Sequence, residues 1–152
     1  MNVHTINSQN ALKILPEAAE RLVKSFLKWK NVECDEVTIH FVDKEEITCL
    51  HNDHFQNPTP TDCISFPIDS PEEKQSGYSI LGEIFVCPEV AIEYVTNEGG
   101  DSYRETSLYL IHGLLHLLGY DDQDDESRSI MRAQEKSAML YLEKNKELLH
   151  AV

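Results

Sequence analysis

The chain has 152 residues, 41% of them hydrophobic, with 13 basic against 27 acidic residues and a formal net charge of −14. That length fits one domain able to bury roughly two-thirds of its unfolded surface. The charge argues against a broad nucleic-acid-gripping face, whose affinity grows with the phosphates it neutralises, although distribution matters more than the sum.

The first residues, Met1-Asn-Val-His-Thr-Ile-Asn7, lack the basic and apolar regions of a signal peptide. Asn2 to Ile6 alternates weakly and reads as a short strand. A helix is expected from Ser8 to Trp29, with Leu12, Leu15, Ala19, Leu22, Phe26 and Trp29 on one stripe and Lys13, Arg21, Lys24 and Lys28 opposite. Glu36 to Val42 reads as a strand, because Val37, Ile39 and Phe41 alternate with Thr38 and His40. Asp43 caps a short helix ending near Asn52. Pro58 and Pro60 make 57–62 a loop.

Cys63 to Pro67 reads as a buried strand, 69–78 as the most exposed and mobile loop, and Leu81 to Val86 as another strand. Pro88 opens a helix to about Asn97, which Glu98-Gly-Gly-Asp101 breaks. Ser102 to Leu118 is a helix apolar nearly all round, hence buried, and a last helix runs from Asp124 or Asp125 to about Leu149. No repeat or composition shift marks a second domain, so residues 1–152 are taken as one. Cys34, Cys49, Cys63 and Cys87 form no C-x-x-C pair and read as reduced thiols of a cytoplasmic protein. No apolar run approaches the roughly 18 residues of a membrane span.

The chemistry concentrates at His112-Gly-Leu-Leu-His116-Leu-Leu-Gly119-Tyr-Asp-Asp122. Two histidines four apart share one helix face, and each imidazole in a dry helix needs a partner. Gly119 can end the helix in a left-handed turn and bring a carboxylate in front of both rings. Two His ligands and one returning donor make a three-ligand metal site with an open position. Asp121, Asp122, Asp124 and Asp125 are the candidate donors, and at least one of them is expected to cap the last helix. Gly113 stands where zinc peptidases of the H-E-x-x-H type carry their glutamate base, which disfavours a peptidase. A glycine inside a helix costs about 1 kcal/mol, so close approach by another element or a ligand is expected there.

The segment resembles the YbeY family of endoribonucleases and rRNA maturation factors, whose pattern is H-G-x-L-H-L-x-G-Y-D-H. Thr61-Asp-Cys-Ile-Ser65-Phe-Pro67 is similar to the family's T-D-V-L-S-F-P, Leu81-Gly-Glu83-Ile84 to its L-G-D-I, and Met131 with Gln134-Glu135 fits its last helix. The resemblance implies an α/β (α+β) fold with a small mixed four-stranded sheet and about five to six helices. It implies one zinc ion held by His112, His116 and Asp122, with Asp122 replacing the family's third histidine. Carboxylate oxygen is a sound zinc ligand, and being harder and anionic it favours Mn²⁺ or Mg²⁺ more than a third imidazole would. A metal there would polarise a phosphate and generate hydroxide for RNA strand cleavage.

Asp121 or Glu83 would accept a proton or orient a ligand, although an acid after glycine at a strand start is commonly an edge residue. Ser65 would lie near the site. The family's Asn-x-x-Tyr-Arg segment reads Asn52-Asp-His-Phe55-Gln56 here, so a phosphate-clamping arginine is missing and Gln56 can donate a hydrogen bond without a charge. His54 or Arg104 are conceivable substitutes. Arg128 and Arg132, with Lys136 in the same row, are candidate RNA contacts, against the ordinary reading of a solvated helix face.

The function so implied is single-strand-specific endoribonuclease action in maturing the 16S rRNA 3′ end and in ribosome quality control. Single-stranded rRNA, small-subunit ribosomal proteins and an assembly GTPase would be its partners, with neither DNA nor membrane. Two alternatives stand beside it: a non-catalytic ribosome-assembly factor that works by protein docking, and a metal-dependent hydrolase of another substrate.

Overall fold

A computed structural model describes residues 1–71 and 77–152. Part of the expected 69–78 loop therefore lies outside the described residues. The elements are β1 (Asn2–Asn7), α1 (Pro16–Trp29), β2 (Glu36–Phe41), α2 (Lys44–Phe55), β3 (Cys63–Pro67), β4 (Ile80–Val86), α3 (Pro88–Glu98), α4 (Ser102–Leu117) and α5 (Asp125–Lys144). The sheet order is β1-β2-β4-β3. β1 and β4 run parallel to β2, and β3 pairs antiparallel with β4, so the sheet is mixed as expected.

Strand alternation sorts the side chains to two faces. Val37, Ile39 and Phe41 of β2 are buried, and they meet Leu22, Val23 and Phe26 of α1 and Leu110, Ile111 and Leu114 of α4 in the main core. On the other face, Ile64 packs with Val42, Ile47 of α2 and Cys87. In β3 the neighbours of Ile64 turn toward α4: Cys63 and Ser65 crowd Gly113.

Three helix boundaries differ from the sequence reading, the least at α2, which runs to Phe55 where an end near Asn52 is expected. α1 starts at Pro16, not Ser8, because proline is tolerated in a first turn but not inside a helix. The segment before it is held by Gln9, whose side chain accepts from the Leu12 N–H at 3.0 Å and donates to the Leu12 carbonyl at 2.7 Å. At the other end α5 stops at Lys144, not Leu149. Lys146 adopts φ 58°, and the Glu147 N–H returns to the Leu142 carbonyl at 2.8 Å. The tail then folds back until the Leu149 N–H reaches the Ser107 hydroxyl at 2.9 Å.

Among the described residues no helix is long and apolar enough to cross a membrane.

Candidate metal centre

α4 is the platform. Asp101 caps it by accepting from the Tyr103 N–H at 3.1 Å, and Leu110, Ile111, Leu114 and Leu115 are fully buried. Gly113 faces the sheet. A Cβ there would lie 2.7 Å from Ile84 Cγ2, 2.8 Å from Cys63 Sγ and 3.2 Å from Ser65 Oγ. The glycine expected to mark a close approach marks one, by β3 and β4. Burial pushes the Cys63 thiol well up, so it is an inert packing group.

With Gly113 against the sheet, His112 and His116 stand together to one side of it on α4, side chains 17% and 26% exposed. Their Nε2 atoms face each other at 3.0 Å. Beyond His116 the chain makes a Schellman turn. Gly119, at φ 100°, donates to the His116 carbonyl at 3.0 Å, and Tyr120 donates to the Leu115 carbonyl at 3.1 Å. This carries Asp122 back, so that its Oδ2 stands 3.4 Å from His112 Nε2 and 3.6 Å from His116 Nε2. Donors held about 2.0–2.2 Å from a tetrahedral ion lie about 3.3–3.6 Å from one another. The three atoms fit a divalent metal, and His112, His116 and Asp122 are the group able to hold one among the described residues.

Glu135, which the sequence pattern marks only as part of the last helix, has a role in the site. Nearly buried on α5, it takes the His112 Nδ1–H at 2.6 Å. Its other partner is Arg132, whose Nη1 donates to both carboxylate oxygens, at 2.6 and 2.9 Å. A carboxylate on Nδ1 fixes the tautomer that leaves the Nε2 lone pair for a ligand bond. Burial alone would raise Glu135, but His112 and Arg132 outweigh it and hold the carboxyl below its usual range. Burial likewise disfavours a charged His112, and Glu135, followed by Asp62 and Asp122, outweighs it and raises the imidazole. A signal for Glu135 existed: it shares the buried stripe of α5 with Met131, Ala138 and Leu142.

The other expected residues separate. Asp121 is exposed and accepts the Asp122 N–H at 2.7 Å, while Asp124 caps α5 by accepting from the Ser127 N–H at 2.7 Å. Arg128 donates to the carbonyls of Asp122 and Gln123 at 3.4 and 3.3 Å and pairs with Asp125. It braces the ligand turn. Ser65 donates to the Gly113 carbonyl at 3.3 Å, under the helix. Glu83 is not brought to the histidines. It contacts His40 at 2.9 Å, and that ring stacks on Phe85, whose neighbour Ile84 points at Gly113. Strand alternation thus sets Glu83 on the face away from α4. Gln56 is the left-handed cap of α2, at φ 56°, a helix whose Ile47 packs on that same far face.

An α/β scaffold with two helical histidines, a returning carboxylate and a buried second carboxylate behind one ring is the kind of donor set that metal-dependent hydrolases use. Residues 4–143 match the model of the family described as Endoribonuclease YbeY, and the chain belongs to that family. An Endoribonuclease YbeY of Protochlamydia amoebophila is 48% identical, over 93% of this chain and 93% of its own. That of Chlamydia trachomatis serovar D is 40% identical, over 94% and 89%. A solved Thermotoga maritima protein shares the fold, with TM-score 0.64 and 24% identity over 93% of this chain and 89% of that one.

Proposed function

We propose that this chain is a metal-dependent endoribonuclease acting in rRNA processing. The observation that carries the reading is the convergence of His112 Nε2, His116 Nε2 and Asp122 Oδ2 in a chain of this family. These three atoms would hold the metal, and zinc suits their number and type, with Mn²⁺ or Mg²⁺ admitted by the carboxylate. When bound, such an ion supplies Lewis acidity toward a phosphoryl oxygen and acidifies water near neutral pH.

The chain's own groups do the positioning. Glu135 holds the His112 ring by its Nδ1–H, Asp121 holds the Asp122 amide, and Arg128 holds the Asp122 carbonyl. Arg132, 64% exposed at its side chain and paired with Glu135 beside His112, would be the cation that meets an incoming phosphate. Asp121, the exposed acid next to the third ligand, is the group we assign to proton transfer. Glu83, turned to the far face, is removed from that role. Single-stranded rRNA is the proposed substrate, with maturation of the 16S 3′ end the proposed event and the cytoplasm its place. Small-subunit ribosomal proteins and an assembly GTPase are the proposed partners.

One observation favours a second reading, a docking factor without catalysis. The α2 cap that would carry a phosphate-binding arginine carries the uncharged Gln56. Purified protein incubated with single-stranded rRNA, with and without chelator, separates the two, run beside His112→Ala, His116→Ala and Asp122→Ala with metal analysis of each. Chelator-sensitive cleavage lost in the three variants is expected. RNA or ribosomal-protein binding without cleavage would favour docking, and stoichiometric metal in all three variants would remove the ligand assignment.

A further inference from the structure

We infer that Lys30, at the end of α1, is a positioning residue for the metal centre, acting through Tyr120 on the turn that carries Asp122. The inference rests on the metal reading above and adds a residue that no sequence motif marks.

The turn needs an external hold. Gly119 is exposed with open space around it, Asp121 is exposed, and Asp122 is a third exposed at its side chain. Beyond Gly119, Tyr120 is the hydrophobic residue of this turn that packs on the main core, as Leu118 does before it. Lys30 grips it twice: Nζ donates to the Tyr120 hydroxyl at 2.9 Å and lies 4.8 Å from the centre of the same ring. The same ammonium donates to the Gln134 side chain of α5 and sits 5.1 Å from the Trp29 ring. One cation therefore ties α1, the ligand turn and α5 together.

The origin of the side chain is itself fixed. The Lys30 N–H bonds the Phe26 carbonyl at 2.9 Å, and the Val32 N–H bonds the Leu27 carbonyl at 2.9 Å around left-handed Asn31. Trp29 stacks on Tyr141 of α5 at 5.7 Å, which locks the helix end to the same element that holds Glu135. In an acidic chain the acceptors of this ammonium are two neutral oxygens, those of Tyr120 and Gln134. A charged donor on neutral oxygens between two aromatic faces is directional. Such a contact fixes where Tyr120 sits, and with it the carboxylate two residues on.

Groups that orient metal ligands are worth 10–100-fold in affinity as a rule. Lys30→Met keeps the stem and removes the head, so its zinc dissociation constant, measured by chelator competition, should rise about tenfold. Its kcat on single-stranded RNA should fall while KM holds. Lys30→Arg should restore zinc affinity to within a few-fold, and Tyr120→Phe, which keeps the ring, should lose only a few-fold. Lys30→Met with wild-type zinc affinity, even with a lowered melting temperature of the metal-free protein, overturns the inference and leaves a packing role. Asp122→Ala and His112→Ala run alongside separate the failures. If both lose zinc while Lys30→Met does not, only the clamp is wrong. If both retain it, the centre and the clamp fall together.

Discussion

The two halves of the metal centre are built by opposite means. His112 and His116 stand on a helix whose neighbours Ile111, Leu114 and Leu115 are fully buried, so their rings are aimed by the packed core. Asp122 stands on a turn with little buried surface of its own, aimed by hydrogen bonds donated by Gly119, Tyr120 and Arg128 and by the Asp121 carboxylate that accepts its amide. Close packing resists small displacements collectively, whereas a bonded turn is held at a few points. The histidine half should therefore fail through loss of fold, and the aspartate half through loss of ligand geometry.

The largest effect expected from testing this contrast is at the join between the halves. Glu135→Gln should weaken metal binding by about 10–100-fold with the helices intact, because an amide lacks the charge and can donate as well as accept, so it no longer enforces the His112 tautomer; isothermal titration and far-UV circular dichroism check both parts. Gly113→Ala should destabilise the metal-free protein by about 1–3 kcal/mol in denaturant melts, since crowding by Ile84 and Cys63 exceeds the helix-propensity gain of about 1 kcal/mol. A stabilised Gly113→Ala would refute the packed-platform half of the contrast. Gly119→Ala meets no neighbour but must hold φ 100°, which costs an alanine about 1–2 kcal/mol, and its metal affinity should suffer visibly.

The smallest effect tests the platform's electrostatics. Burial raises the Glu105 carboxyl above its usual range. A carboxyl raised on folding contributes stability that is present below its unfolded pKa and lost as pH rises through the folded one. Glu105→Gln should therefore melt slightly higher than wild type at pH 7, with the advantage gone near pH 4, read by thermal scans at both.

The same contrast governs what could be read from the sequence. The His112–His116 face and the Gly119 turn were legible because helical spacing and a left-handed glycine are local signals. The choice of Asp122 among four nearby aspartates came from the resemblance, and local chemistry explains how the others are used: Asp124 caps α5 and Asp121 holds a backbone amide. Glu135 is separated from His112 by a turn and a helix, and nothing in local periodicity says which carboxylate will face which ring. Residues 8–15 mimic a helix because Leu12 and Leu15 keep helical spacing, while Pro16 sets the real first turn. Glu83 stands beside Ile84, which meets Gly113, and strand alternation therefore turns it to His40 on the opposite side of the sheet, a relation no local pattern marks.

The donors and their buried carboxylate all fall between His112 and Glu135, within the single passage from α4 to α5, whereas the sheet joins strands across long intervals of chain, β1 to β2 and β2 to β4. Closing a short loop costs less chain entropy than closing a long one, and non-local pairing is the slow part of folding. The parallel strands should therefore set the pace at which the native protein appears. The helical hairpin has only local distances to close, so metal added during refolding should change the yield and persistence of the α4–α5 pair more than the rate at which the sheet forms.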